Sequence, residues 1–490
     1  SEAASDFTFL GGPGLNGLNP NIQQPYTESW NLGVQQQLGE GRALELRYIG
    51  SRSERQWLNI NPNEINIFGT TPQFPNSFLT QFKNAQNNLA INQAKGITSF
   101  ANNGYAGQVA VPIFDAAFAG ETSGGPGIPL SDYGASNFIT QLQTGQAGSM
   151  ASTLAGINGT VPYLCNLVGS SFGPCANNVA AGTYNAAGAG YPINYFQANP
   201  YAQNIGSSYT VAEGYSNYNA LQVDFRQRAW HGLQFDANYT WSHTLGVATQ
   251  NNWQGQGAVF SVRDMRLSYG PTLFDLRNVV HINGTYDLPF GKGKQFANSS
   301  AVLDRVVGGW TLGTIFTFQT GAPFLLFGGN NTFNDYGDGG ITLSGVSVSQ
   351  LQNSVGKYPI AGTTNIAFIN PKYLLPSGGA NPAFIAPNTT PGTFGQRVWL
   401  YGPHNTYDDV SITKHIPITE AVHFSLQAEM LNAFNHPTFG PGATNGGSNF
   451  GWNAIQSSAF GINGNGPINP FQNSPNGGAR EIELRANIEF

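Results

Sequence analysis

The sequence predicts an all-β chain: the wall of an antiparallel transmembrane β-barrel with long extracellular loops and short periplasmic turns. Three observations carry this. Charges are few among many aromatics, strands of about ten residues alternate apolar and polar positions, and short connections alternate with long ones. Charged residues make up 9% of the 490, against roughly 25% in soluble domains. Uncharged polar residues and 63 glycines take their place. Disordered chains combine few aromatics with high net charge, whereas this one has 33 Phe, 20 Tyr, 8 Trp and a net charge of −6. It therefore has apolar surface to bury, and it lacks the basic field that nucleic acid requires. No apolar run reaches the roughly 18 residues of a transmembrane helix, and Ser1 is not followed by a signal-peptide pattern.

The strands follow in order from the two-residue period. In ESWNLGVQQQL, Trp30, Leu32, Val34 and Leu38 share one face; after the turn, Leu44, Leu46 and Tyr48 oppose Glu45 and Arg47. In YNALQVDFRQR, Leu221, Val223 and Phe225 alternate with Gln222, Asp224 and Arg226. Its partner runs Leu233, Phe235, Ala237, Tyr239, Trp241 against Gln234, Asp236, Asn238, Thr240. Val280, Ile282, Tyr286 and Leu288 mark the fifth strand, and Trp310, Leu312, Phe316 and Phe318 the sixth. Val410 and Ile412 mark the seventh, and Phe424, Leu426, Ala428 and Met430 the eighth. The last is REIELRANIEF, with Ile482, Leu484, Ala486, Ile488 and Phe490 on one face. A barrel strand crossing a membrane needs about 9–11 residues, longer than the 5–6 usual in soluble sheets.

The count is about nine or ten strands. Links 1–2, 3–4 and 7–8 are short and 5–6 is moderate; the others are long, predicting extracellular insertions at 58–214, 325–405 and 435–479, with a fourth at 246–276. Outer-membrane barrels have this asymmetry, with short turns in the periplasm. Phe490 then ends in the periplasm, and nine strands back Ser1 lies outside the cell. Bacterial single-chain barrels close on an even number. The expectation is therefore an incomplete wall with two unpaired edges, residues 1–490 being the C-terminal part of one larger barrel that begins in an extracellular loop.

Chemistry is sparse. Cys165 and Cys175 fall in one stretch, CNLVGSSFGPC, and an even pair in an otherwise cysteine-free chain predicts a local disulfide in an oxidising compartment. Gly12–Gly17 matches G-x-G-x-x-G but lacks the strand and helix that a dinucleotide site needs. Asn334–Gly339 is acidic and Gly-rich without the spacing of a calcium loop. The seven histidines, His231, His243, His281, His404, His415, His423 and His436, show no zinc-ligand spacing. No catalytic residue, cofactor site or metal site is predicted, and the chain reads as no enzyme. On the polar, lumen-side face lie Asp224, Arg226, Asp236, Glu429, Glu483 and Arg485. Trp30, Tyr48, Tyr239, Trp241, Tyr286, Trp310 and Phe490 are placed for the aromatic girdles that flank an apolar band.

The segments QPYTESWNLGVQQQLGEGRALELRYIGSR, YNALQVDFRQRAWHGLQFDANYTWSHT, DLRNVVHINGTYDLPFGKGK, GGWTLGTIFTFQTGAPF and DDVSITKHIPITEAVHFSLQAEMLNAFNHPTFG, in this order and with terminal Phe490, resemble the C-terminal barrel of TonB-dependent receptors of the Oar-like type. That resemblance implies a bacterial outer-membrane, cell-surface receptor for energised nutrient uptake, an oligosaccharide or a chelate being suitable cargo. It also implies partners: outer-membrane lipid, an N-terminal remainder with plug and earlier strands, a TonB-type energising protein contacting that region, and an assembly machinery that reads Phe490. An adhesion or binding barrel without transport is the alternative, and a soluble secreted β-protein is a third. The third requires protein against both faces of the strands.

Overall fold

The computed structural model describes residues 16–121, 131–157, 161–178, 184–201, 208–247, 259–296, 301–335, 338–363, 365–419, 422–436, 438, 453–463 and 479–490. Nine long strands form one sheet: β1 (Tyr26–Gln37), β2 (Arg42–Ile60), β3 (Ser208–Trp230), β4 (Leu233–Gly246), β5 (Asn278–Asp287), β6 (Trp310–Gln319), β7 (Asn405–Pro417), β8 (His423–Leu431) and β9 (Glu481–Glu489). Each pairs antiparallel with its neighbours in chain order, so the sheet is an uninterrupted meander. Among the described residues the outer edges of β1 and β9 pair with no strand, and the sheet is not closed.

Register turns the sequence alternation into two continuous surfaces. Leu46, Val223, Tyr239, Val280 and Phe318 stand side by side across five strands. One residue over, Glu45, Asp224, Asn238, His281, Thr317 and Tyr407 form the neighbouring row on the opposite face. A slip of one residue would exchange the faces, so the pattern fixes the register. Among the described residues most of the apolar face has no protein against it: Leu32 is 73% exposed and Leu484 72%. A contiguous apolar surface of this size cannot face water, which removes the soluble alternative. Among the described residues no helix is long and apolar enough to cross a membrane; the strands are the spanning elements.

Aromatics mark the ends of that surface. Trp30 and Trp241 lie toward the outer ends of β1 and β4, while Tyr286, Trp310 and Phe490 lie at the periplasmic ends. Tyr48 and Tyr239 each point a hydroxyl to an asparagine of the adjacent strand, Asn219 and Asn278, at 2.7 Å. Trp30 lies flat over Gly50, its cross-strand partner, where any Cβ would collide with the indole.

The long connections differ from expectation. β2 runs to Ile60 and β3 starts at Ser208, so the first insertion is 61–207 rather than 58–214; 19- and 23-residue strands carry the ladder beyond the membrane. The other two large insertions run from the end of β6 at Gln319 to Asn405 and from the end of β8 at Leu431 to Glu481, rather than 325–405 and 435–479. The first is also helical, with α1 (Phe78–Gln93), α2 (Pro112–Ala117), α3 (Ser136–Gln143), α4 (Ala147–Leu154), α5 (Tyr163–Val168) and α6 (Gly173–Asn178). Ser77 caps α1, its hydroxyl accepting from Thr80 N at 3.3 Å. Phe78, Phe82, Ala85 and Leu89 give α1 a buried helical stripe. They join Phe100, Phe114, Phe118 and Phe138 in the largest apolar core among the described residues. Cys165 and Cys175 are bonded inside it, joining α5 to α6. A second core, around Phe324, Ile341, Ile369, Leu400 and Phe460, is built from the other two large insertions.

Candidate functional site

The inner face brings the six sequence-selected charges into two triads. Arg226 on β3 reaches Asp224 at 2.7 Å and Asp236 of β4 at 3.0 Å. Arg485 on β9 reaches Glu483 at 3.0 Å and Glu429 of β8 at 3.5 Å. Each is one guanidinium held between two carboxylates, and each is solvent-exposed enough that the pairs add little stability. Glu45 and Arg47 on β2, which the sequence marks only by their alternation, form a further ion pair on the same face.

Between the two triads the face is hollow. A cavity of about 790 Å³ is lined by Arg226, Asp236, Asn283, Thr285, Gly313 and Glu429, among others. Gly313 and Ser411 are both in its lining, and a Cβ at Gly313 would run into Ser411 Oγ. A shallower recess of about 480 Å³ is lined by Asn31, Gln35, Glu45 and Arg47 on β1 and β2. Both present hydroxyls, amides and mixed charge, the groups that accompany a hydrated solute.

Above the sheet, the loops are locked to one another. Glu64, 3% exposed, accepts from Ser261 Oγ at 2.8 Å, Val262 N at 3.2 Å and Asn334 Nδ2 at 3.0 Å, and pairs with Arg263. One carboxylate therefore ties three insertions together. Burial raises its pKa, against the pull of Arg263. Asp335 accepts from Ile65 N at 2.9 Å and Ser152 Oγ at 3.4 Å, and Asp338 from Gly329 N at 2.8 Å; burial raises both. In the stretch 334–339, Asn334 and Asp335 thus hold insertions together, while Asp338 binds within its own insertion. Among the described residues no three His, Cys, Asp or Glu gather in a metal-binding group. Arg397 is the converse case. Its guanidinium lies 3.6 Å over the Phe260 ring, none of its nitrogens has a hydrogen-bond partner among the described residues, and burial pushes its pKa down to about 9.

The histidines are dispersed. His281 Nδ1 meets Thr317 Oγ1 at 3.0 Å on the inner face, and His423 lies opposite Glu489. His243 contacts the fully buried Asp275 at 2.8 Å, which also accepts from Thr244 N at 2.8 Å and Tyr401 Oη at 2.5 Å. This knot pins two insertions to the top of β4. Of the Gly12–Gly17 motif, all but Asn16 and Gly17 lie outside the described residues; those two lie in a short strand, Asn16–Leu18, parallel to the start of β3.

The family comparison agrees with a nine-stranded meander that has an outward apolar face, a hollow inner face and one-sided insertions. The model of the outer membrane beta barrel domain matches residues 1–109 and 144–462. The chain belongs to that family. Of the unmatched residues, 110–143 fall inside the helical insertion of this outer-membrane β-barrel domain and 463–490 include β9. Among curated proteins none matches. Among solved structures, the outer membrane transporter YddB from Escherichia coli is similar at 7% identity with a TM-score of 0.31. The match covers 97% of this chain and 34% of YddB, so the chain spans about a third of that protein's length. The protein resides in the outer membrane.

Proposed function

We propose that this barrel domain is wall and extracellular cap of a TonB-dependent transporter of the Oar-like type, which takes up a nutrient across the outer membrane. The observation that carries the reading is the hollow of mixed polar and apolar lining on the inner face, flanked by two Arg–carboxylate triads. A hydrated wall under a folded cap suits selective passage. The resemblance supplies the rest: an N-terminal plug and further strands to complete the wall, an energising protein that pulls on the plug, and an assembly machinery that reads Phe490. Cap loops rich in Tyr, Phe, Asn and Gln suit an oligosaccharide, which binds by stacking and hydrogen bonding. The cap's independent core favours the second reading, an adhesion barrel whose outer surface does the work.

The test is binding of the full-length protein to the periplasmic domain of TonB, with growth of a deletion strain on candidate oligosaccharides and chelates. Binding, together with a growth defect restored by the wild-type gene, supports transport. Absence of TonB binding with loss of surface attachment favours adhesion.

A further inference from the structure

The moderate link between β5 and β6 carries a surface that neither the wall nor the cap uses. Its described residues are 288–296 and 301–309, and it lies at the short-turn, periplasmic end. Two outward-facing side chains hold its C-terminal part against the lipid side of the sheet. Trp310 donates its indole N–H to Val306 O at 3.0 Å, and Lys414, on the neighbouring strand, donates to Gly308 O with its ammonium 5.5 Å from the Trp310 ring. The short helix α7 (Ala301–Val307) is thereby kept beside the lower aromatic row rather than under the lumen. Asp304 fixes the fold of the link by accepting from Lys292 N at 2.6 Å.

What remains outside is amphipathic. Val306 is 66% exposed, and Phe290 and Phe296, 5.8 Å apart, are 40% and 49% exposed. Lys292, Lys294 and Arg305 are exposed among them, with Lys294 4.0 Å from Asp287. The apolar groups continue the outward band through Leu288, Trp310 and Leu312, which lipid already covers. Apolar side chains at the acyl boundary with cations at headgroup depth are what an interfacial anchor needs.

We infer that residues 288–296 and 301–309 of this link form an interfacial anchor that binds an anionic phospholipid headgroup of the periplasmic leaflet. Phe290, Phe296 and Val306 enter the acyl boundary, and Lys292, Lys294 and Arg305 take the phosphate.

The two cysteines of residues 1–490 are bonded to each other, so an introduced thiol is the one free thiol among these residues. Val306→Cys and, separately, Phe296→Cys are spin-labelled in the full-length protein, reconstituted in phosphatidylethanolamine vesicles with and without phosphatidylglycerol. Both labels should collide more with oxygen than with a water-soluble nickel chelate, unlike a label at Ser349→Cys in the cap. In native mass spectrometry, Lys292→Gln/Lys294→Gln/Arg305→Gln should retain on the order of tenfold less phosphatidylglycerol than wild type, with phosphatidylethanolamine unchanged. Labels as open to the nickel chelate as the one at 349 overturn the anchor. Equal phosphatidylglycerol retention overturns the headgroup site, as does its displacement by inorganic phosphate.

Discussion

The wall and the cap obey opposite rules in one chain. In the wall, each strand has two environments, and Leu46 and Glu45 differ only in which side of the backbone they leave. Apolar residues there are exposed, Leu32 and Leu484 by more than two thirds, because lipid replaces protein as their partner. In the cap, apolar residues are buried in protein, with Phe78, Phe100, Phe114 and Phe138 fully enclosed. The wall rests on strand pairing and its fit to lipid; the cap rests on a core that would suit a soluble protein. The comparison implies that the two can be damaged independently.

The largest effect is expected in the cap. Phe114 packs edge-on against Phe100 at 5.1 Å and near Phe78 at 5.9 Å. Phe114→Ala should cost the cap about 3–5 kcal/mol, seen as faster proteolysis between α1 and α6, while heat-modifiable migration of the full-length barrel is retained. The mirror experiment breaks the wall alone. Val223→Arg places a charge on the lipid face and should cost about 2–4 kcal/mol, whereas Gln222→Arg, one residue away on the inner face, should be nearly neutral; urea unfolding in vesicles measures both.

A third prediction concerns pH. Burial raises the carboxyl pKa of Glu64, Asp335 and Asp338 above their unfolded values. The native cap therefore binds protons that the unfolded cap does not, and its stability rises as pH falls through the raised values toward the unfolded ones near 4. It is lost again as pH climbs through the folded values. Hydrogen exchange of the cap, corrected for intrinsic rates, should show greater protection at pH 5 than at pH 8. The smallest effect is a gain: Arg397→Met removes a buried guanidinium without hydrogen bonds and should stabilise the cap by about 1 kcal/mol, read as a higher thermal midpoint.

The same comparison explains what was legible in the sequence. Nine strands, their order, their faces and the one-sided insertions could be read because a wall strand between lipid and lumen must alternate. The helices could not. The buried stripe of α1 is interrupted by Gln81, Asn88 and Asn92, which are themselves buried. Gln81 accepts from Ile113 N at 2.8 Å, Asn88 exchanges two bonds with Val109, and Asn92 donates to Ser99 O and Ala101 O. Amides that serve a neighbouring backbone look like loop composition and hide the helical period. The cap's outer surface carries few charges to mark its exposed sides. On the inner face, charge pairing across strands followed from register, but the close approach of Gly313 to Ser411 has meaning only once the strands are paired.

The central claim is that one face of the sheet meets lipid and the other a hydrated lumen. A spin-label scan of single cysteines along β3, from 220 to 226, in the full-length protein in phospholipid vesicles tests it most directly. Oxygen collision should peak at 221, 223 and 225, with nickel-chelate collision peaking at 220, 222, 224 and 226. A profile without the two-residue period, or water access on both faces, would contradict the account.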